Sequence, residues 1–514
     1  MQRVTFLLAL CALLLLLSGQ RADAAEEPRF GIVEAFWSPE QAADLGADWE
    51  RILFYWSELQ PTGPDDWNTL HVMEEWLGYG ADADREIIGL IKHTPLWASD
   101  GAGHSGLPRG LDLPIDDPDN LWATFLRRLV DYYSVRGIHR WIIWNEPDID
   151  MGVYGNEFEG TVEDYYRLLK VAYLVMKEHD PQVTVHLAGL TYWHDVEAGR
   201  TQYLDRLLQV ISADPEAAAH DYFFDVLSLH IYFRTETVST IVEQMDAIQQ
   251  KYGLDKPIWI NETNAAPTLD PLWPVERPQF QVDLDQQAWY IVQAHALAFA
   301  AGVESVGVYK FSDVLVDPGG ESFGILRGDF SERPAFQAHR TTIRLLRGFT
   351  GVEDQSSADY HAVAFSRPGS VTRVLWSKGP TALTLRVPAL GQEALLVDSL
   401  GNERTIRASD GAYEIRLDGA RCYEACIIGG PPLFLVEAAA EAASGAALQV
   451  VDRAAATPMP GGLPGAATPP VRTSLLWLAL AVVVLFVAGF ALLALYLFWR
   501  QRRASDGAAD DGAG

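Results

Sequence analysis

The chain has 514 residues, with 69 Asp and Glu against 39 Lys and Arg, a formal charge of −30. That acid excess argues against phosphate-driven nucleic-acid binding, favours a soluble, self-repelling exterior, and disfavours a strongly acidic polymer as ligand. Cysteine is scarce (Cys11, Cys422, Cys426) and no zinc-like cluster of Cys and His exists, so neither a metal nor another cofactor is expected.

Residues 1–25 predict a secretory signal peptide: Arg3, an apolar run from Val4 to Leu17, then Ala22-Asp23-Ala24 with small residues for the peptidase. From 28 to 349, short β-rich apolar runs alternate with longer amphipathic stretches. The expected strands are Phe30–Phe36, Arg51–Tyr55, Glu86–Lys92, Arg140–Trp144, Val183–Ala188, Phe224–His230, Pro257–Asn261 and Ser305–Phe311. Helical patterns fall at Leu121–Val135, Val162–Glu178, Thr237–Lys251, Asp283–Ala301 and Pro334–Leu346. Asp117-Pro118-Asp119 reads as a helix start, as does Gly160-Thr161-Val162-Glu163 with a capping Thr. Eight β-then-α units predict an α/β fold, one closed (β/α)8 TIM barrel. An open doubly wound sheet is the alternative, but no glycine-rich phosphate loop follows the first strand.

Residues 350–437 change character. Short alternating strands (Ala362–Phe365, Arg373–Trp376, Ala382–Val387, Ala394–Asp398, Tyr413–Arg416) between Gly, Pro and Asp turns predict a small antiparallel β-sandwich domain. Within it Cys422 and Cys426 could form a disulfide or remain two thiols. Residues 438–473 are rich in Ala, Gly, Pro and Thr and read as a flexible stalk. Residues 474–499 contain an apolar run from Leu475 to Trp499 with no charge, long enough for a transmembrane helix. Arg500, Arg502 and Arg503 follow and mark its cytoplasmic end, leaving 500–514 as a cytoplasmic tail. The expected location is a single-pass membrane protein with its folded part outside the cytoplasm.

Function in such a barrel sits where the strands end. The fourth ends Trp144-Asn145-Glu146-Pro147 and the seventh Asn261-Glu262-Thr263-Asn264. Two carboxylates thus emerge on opposite sides of one mouth. Cleaving a glycosidic bond takes such a pair, one acid to protonate the leaving oxygen and one carboxylate to attack or to activate water. Aromatic residues near other strand ends (Trp37, Trp56, Trp97, Tyr192, Trp193, Tyr309) suit a cleft that packs sugar rings, and equally suit core packing. Lys310 either reaches the cleft or neutralises a carboxylate.

Trp144-Asn145-Glu146-Pro147 resembles the acid/base signature of clan A glycoside hydrolases, whose nucleophile is a Glu ending the seventh strand. Glu262-Thr263-Asn264 and Phe311-Ser312-Asp313-Val314 are most similar to segments of glycoside hydrolase family 39, the β-xylosidase and α-iduronidase family; biofilm-polysaccharide endoglycosidases share the barrel and β-domain plan. The resemblance runs from about Phe30 to Leu346 as ordered motifs. It implies a retaining mechanism with Glu146 as acid/base and Glu262 as nucleophile. It also implies Arg51 holding the nucleophile charged, Tyr232 donating to it, His230 orienting the sugar or the acid, and Asn145 bonding the sugar 2-hydroxyl. His93, Trp97 and Tyr309 are the further substrate-binding candidates. For its role Glu146 should be protonated near working pH, through burial and the neighbouring carboxylate. The chain departs from family 39 xylosidases, which carry Trp where Tyr309 stands and a His where Phe54-Tyr55-Trp56 stands.

The implied activity is hydrolysis of O-glycosidic bonds in an extracellular or cell-envelope polysaccharide or oligosaccharide. A catalytically silent carbohydrate-binding surface protein is a second reading, disfavoured because a binder needs no carboxylate pair. A transglycosylase would share every residue named.

Overall fold

Period-two alternation governs the barrel. In the second strand Trp49, Arg51, Leu53 and Tyr55 share one face, while Ile52 and Phe54 lie in the outer core between strands and helices. Trp49 and Leu53 instead join a separate cluster with Ile88, Leu90, Ile142, Val226 and Trp259, the filling of the barrel interior. The computed structural model describes residues 28–149, 156–314, 316, 320–423, 425–438 and 447–454. The expected signal peptide, membrane helix and tail lie outside these residues, as does most of the expected stalk. Among the described residues no helix is long and apolar enough to cross a membrane.

Eight parallel strands form the sheet: β1 (Phe30–Val33), β2 (Trp49–Tyr55), β3 (Glu86–Lys92), β4 (Arg140–Ile143), β5 (Thr184–Leu187), β6 (Leu227–Tyr232), β7 (Ile258–Asn264) and β8 (Ser305–Val308). β1 pairs with both β2 and β8. β5 and β6 close the ring through His186–Val226 and Leu190–Leu229 bridges. The barrel helices are α1 (Pro39–Leu45), α2 (Glu74–Asp82), α3 (Leu121–Ser134), α4 (Val162–His179), α5 (Tyr203–Ser212), α6 (Val238–Lys251), α7 (Leu284–Ala300) and α8 (Pro334–Leu346). A closed TIM barrel is therefore what these residues form, not an open sheet.

Local differences have physical causes. Thr161 caps α4 as expected, and its own amide donates in return to the Asp164 carboxylate. The α3 cap is Asn120, not Asp117: the Asn120 side-chain oxygen Oδ1 accepts from the Ala123 amide at 3.1 Å, and Asp117–Asn120 is a turn outside the helix. β1 stops at Val33 instead of Phe36, because Glu34 turns into the left-handed region and Ala35–Trp37 coil into a helical turn. β6 and β7 run further than expected, to Tyr232 and Asn264.

The second domain stacks a six-stranded antiparallel sheet on a three-stranded one, as a sandwich requires. Strands missed by the alternation reading are Gly351–Asp354, Glu403–Arg407, Leu433–Ala438 and Gln449–Arg453. The last lies in the segment read as stalk, yet it pairs with Leu383–Pro388, so the β-domain extends past Glu437. Cys422 and Cys426 are disulfide-bonded. The domain docks on α7, where Gln293 donates to the Gly430 carbonyl and accepts from the Gly429 amide, both at 2.9 Å. Covered by the barrel on one side and this domain on the other, α7 is buried from Gln286 to Phe299.

Two glycines make the interior possible. A Cβ on Gly31 would stand 2.0 Å from the Trp49 ring, and one on Gly307 2.4 Å from it. Trp49 is locked from the other side by Trp259, with ring centroids 5.5 Å apart, and by its indole N–H donating to Ser305 at 2.7 Å. Gly31→Ala is therefore expected to cost about 2 kcal/mol through overpacking. Gly78→Ala in α2, where an added methyl meets nothing within 4 Å, should stabilise by roughly 0.5–1 kcal/mol. Urea midpoints moving in opposite directions would establish the contrast.

Candidate active site

Most of the candidate side chains lie on the barrel strands or just past their ends. Alternation along β2 turns Arg51 inward, where it is buried. In β7 the register shifts between Ile260 and Thr263 against β8, a bulge of the kind that re-aims a side chain, and Glu262 enters the mouth. β6 shifts between Leu229 and His230, and the result pairs His230 with Glu262 across the two strands. After β4 the backbone turns sharply: Trp144 and Glu146 both have positive φ, 74° and 40°. Such strain in non-glycine residues is concentrated at functional sites. It is held by the Trp144 amide donating to Ile91 O at 2.9 Å and the Glu146 amide to Gly189 O at 3.2 Å.

The side chains interlock. The Arg51 guanidinium donates to one oxygen of Glu262, and the Tyr232 hydroxyl to the other. His230 Nδ1 lies 2.7 Å from a Glu146 oxygen and 3.4 Å from Glu262 Oε2. Set between oxygens of the two carboxyl groups, this nitrogen is placed to donate to them in a tautomer that carries its proton there. Nε2 is buried with no hydrogen-bond partner among the described residues and lies 1.9 Å from where a Cβ on Gly189 would stand, so only glycine admits the ring. Asn145 Nδ2 donates to Glu146 at 3.4 Å. One oxygen each of Glu146 and Glu262 and a His230 nitrogen all lie within 4.8 Å of one another.

Burial by itself would push the Glu262 carboxyl up, but Arg51, His230 and the Tyr232 hydroxyl offset it and hold Glu262 below the usual carboxylate range. Burial and the adjacent Glu262 charge push the Tyr232 hydroxyl well up, so it stays a donor. His230 is lowered by burial and raised more strongly by Glu262 and Glu146, for a net rise. Three such ligating groups could face a divalent ion. Both Glu262 oxygens, however, are already occupied by a guanidinium and a hydroxyl, an arrangement that suits a nucleophilic carboxylate better than a metal ligand.

The other candidates stand further out. The Tyr309 ring meets Tyr232 edge-on at 6.2 Å, and the Arg51 guanidinium lies 6.0 Å from its centroid. His93 belongs to a ladder of flat rings, 4.3 Å from Tyr55 and 4.6 Å from His104, with His71 on the far side of Tyr55 at 5.3 Å. Burial and the neighbouring Lys92 hold the His93 imidazole down to about 3, so it is neutral. Trp97 packs edge-on to Trp56 and donates to the Gln60 carbonyl at 2.7 Å, and it hydrogen-bonds neither glutamate. Trp56 itself is buried on Phe125 and is core, not rim. Sequence reasoning overlooked Glu34 and Gly189. Glu34 was hidden inside an over-long first strand, and nothing marks Gly189 beyond its place after β5.

No protein-family model and no curated protein matches the sequence. Solved structures do match over most of its length. A family 39 glycoside hydrolase from the gut symbiont Bacteroides cellulosilyticus WH2 is 17% identical with a TM-score of 0.60, covering 80% of this chain and 82% of that one. A family 39 β-xylosidase from Caulobacter crescentus is 16% identical, TM-score 0.53, with 80% and 97% covered. A family 30 endoxylanase from Clostridium papyrosolvens C71 is 13% identical, TM-score 0.53, again with 80% and 97% covered. The chain therefore has the barrel fold of the clan A glycoside hydrolases.

Proposed function

We propose that this protein is a retaining glycoside hydrolase acting on an extracellular or cell-envelope polysaccharide or oligosaccharide. One observation carries the reading: carboxyl oxygens of Glu146 and Glu262, from opposite sides of the mouth, lie within 4.8 Å. Retaining enzymes place the two groups about 5–5.5 Å apart, inverting ones roughly 6.5–9.5 Å, to leave room for water.

The division of labour follows from the partners. Glu262, kept ionised by Arg51 and Tyr232, attacks the anomeric carbon from below the ring. Glu146 gives its proton to the departing glycosidic oxygen, and a glycosyl ester on Glu262 results. A water then enters and gives a proton to Glu146 as its oxygen bonds the anomeric carbon. The bond from that carbon to Glu262 breaks, Glu262 leaves as the carboxylate, and the anomeric carbon returns to its original configuration. His230 bonds Glu146 and fixes its direction, and Asn145 stands beside it where a sugar 2-hydroxyl would lie. Membrane attachment belongs to the same proposal, supported by the uncharged run from Leu475 to Trp499 and the arginines after it.

Glu262→Ala should lower kcat by about 10⁴-fold or more. Added azide should then restore turnover and yield a glycosyl azide of inverted configuration, read by proton NMR. Glu146→Gln should lose about 10²–10⁴-fold on an unactivated saccharide yet form the ester readily from dinitrophenyl glycosides, whose leaving group needs no proton. Tyr232→Phe removes a donor that depresses the Glu262 carboxyl. The ionised form is the active one, so the acid limb of kcat/KM should move to higher pH. A limb that stays put would detach Tyr232 from the nucleophile.

A further inference from the structure

The barrel mouth holds a third carboxylate that the two-glutamate chemistry leaves unused. Glu34 follows the last residue of β1 in a left-handed conformation, φ 59° and ψ 47°, which any residue with a Cβ resists. Its amide donates to the Arg51 carbonyl at 3.1 Å, tying it to the strand that anchors Glu262. Its carboxylate is mostly buried and has no hydrogen-bond partner among the described residues. The nearest cation is Lys310 Nζ at 3.7 Å, which itself donates to the Val314 carbonyl at 3.2 Å. The Tyr55 and Tyr309 hydroxyls likewise lack partners among the described residues, and the Glu34 charge bears on both, helping burial to raise them. An acceptor, an ammonium and two hydroxyls thus stand beside the Arg51–Glu262 pair with hydrogen-bonding capacity open.

The charges on this side are already matched. Arg51 faces Glu262, Lys92 faces Glu157, and Lys310 faces Glu34. A uronate would bring a negative charge against Glu34 with no unmatched cation beside it among the described residues, in a site partly withdrawn from water. An uncharged ring with two adjacent hydroxyls brings the donors that a free carboxylate accepts, and a hydroxyl oxygen for the Lys310 ammonium.

We propose that Glu34, together with Lys310, selects an uncharged sugar with two neighbouring free hydroxyls in the subsite that abuts Glu262. This rests on the reading of Glu146 and Glu262 as a retaining pair. The test uses the full chain and a set of dinitrophenyl β-glycosides: glucoside, galactoside, xyloside, glucuronide and glucosaminide. The wild type should favour at least one neutral glycoside over the glucuronide by more than about 100-fold in kcat/KM. Glu34→Gln should lose at least about 10-fold on that substrate and shrink the preference by a similar factor. Glu34→Asp, which keeps the charge but withdraws it, should fall between, and unchanged thermal midpoints would assign the losses to recognition. The inference is overturned if both variants keep the wild-type ratio within about 2-fold. It is also overturned if the glucuronide or glucosaminide is preferred, or if no neutral glycoside is turned over. Turnover that survives Glu262→Ala would overturn the retaining reading itself. A flat Glu34 response with Glu262 essential overturns only the selection.

Discussion

A carboxylate buried at the mouth of an apolar barrel is untenable without a partner, and the contact between Arg51 and Glu262 resolves that problem. Both side chains are nearly inaccessible to water. The pair binds β2 to β7 across the mouth, and Tyr232 and His230 on β6 complete the coordination of Glu262. Desolvating two charges is costly, and apolar residues of the same volume would often serve stability as well or better. What the pair provides instead is an ionised carboxylate of fixed direction in a site withdrawn from bulk water, which is what attack on an anomeric carbon requires.

From that constraint the neighbouring geometry follows. His230 can lie between both glutamates only because Gly189 has no side chain, and Glu146 can face it only because the chain after β4 takes two left-handed steps. Beneath, Trp49 and Trp259 fill the interior where Gly31 and Gly307 leave room. The mouth is thus built on a rigid floor, and the β-domain clamps α7 behind β7. Packing energy far from the chemistry keeps the two carboxyl groups at their separation.

Much of this was legible in the sequence because it depends on periodicity and position. Strand alternation and amphipathic helices gave the barrel. Strand-end placement gave Glu146 and Glu262, and the structure brings Asn145, Arg51, His230 and Tyr232 to them. What escaped depends on backbone conformation and on contacts between distant residues. Glu34 was assigned to the interior of β1, since apolar alternation continues to Phe36 while a single left-handed residue ends the strand. The bulges in β6 and β7 change which side chains face inward without leaving a pattern in composition. Trp97 was preferred over Trp56 as a substrate-binding candidate, yet only packing shows that Trp56 is buried on Phe125 and that the Trp97 indole is bonded to the Gln60 carbonyl. The Gln449–Arg453 strand was concealed by its low-complexity surroundings, because an edge strand needs only one partner.

The central claim is that Glu262 becomes covalently bonded to the sugar. Incubating the full-length protein with a dinitrophenyl glycoside bearing fluorine beside the anomeric carbon slows hydrolysis of the ester more than its formation, and peptide mass spectrometry then locates the sugar. The label is expected on the peptide containing Glu262, with inactivation proportional to labelling. A protein that hydrolyses glycosides while remaining unlabelled, and whose first product has the inverted anomeric configuration, would contradict it.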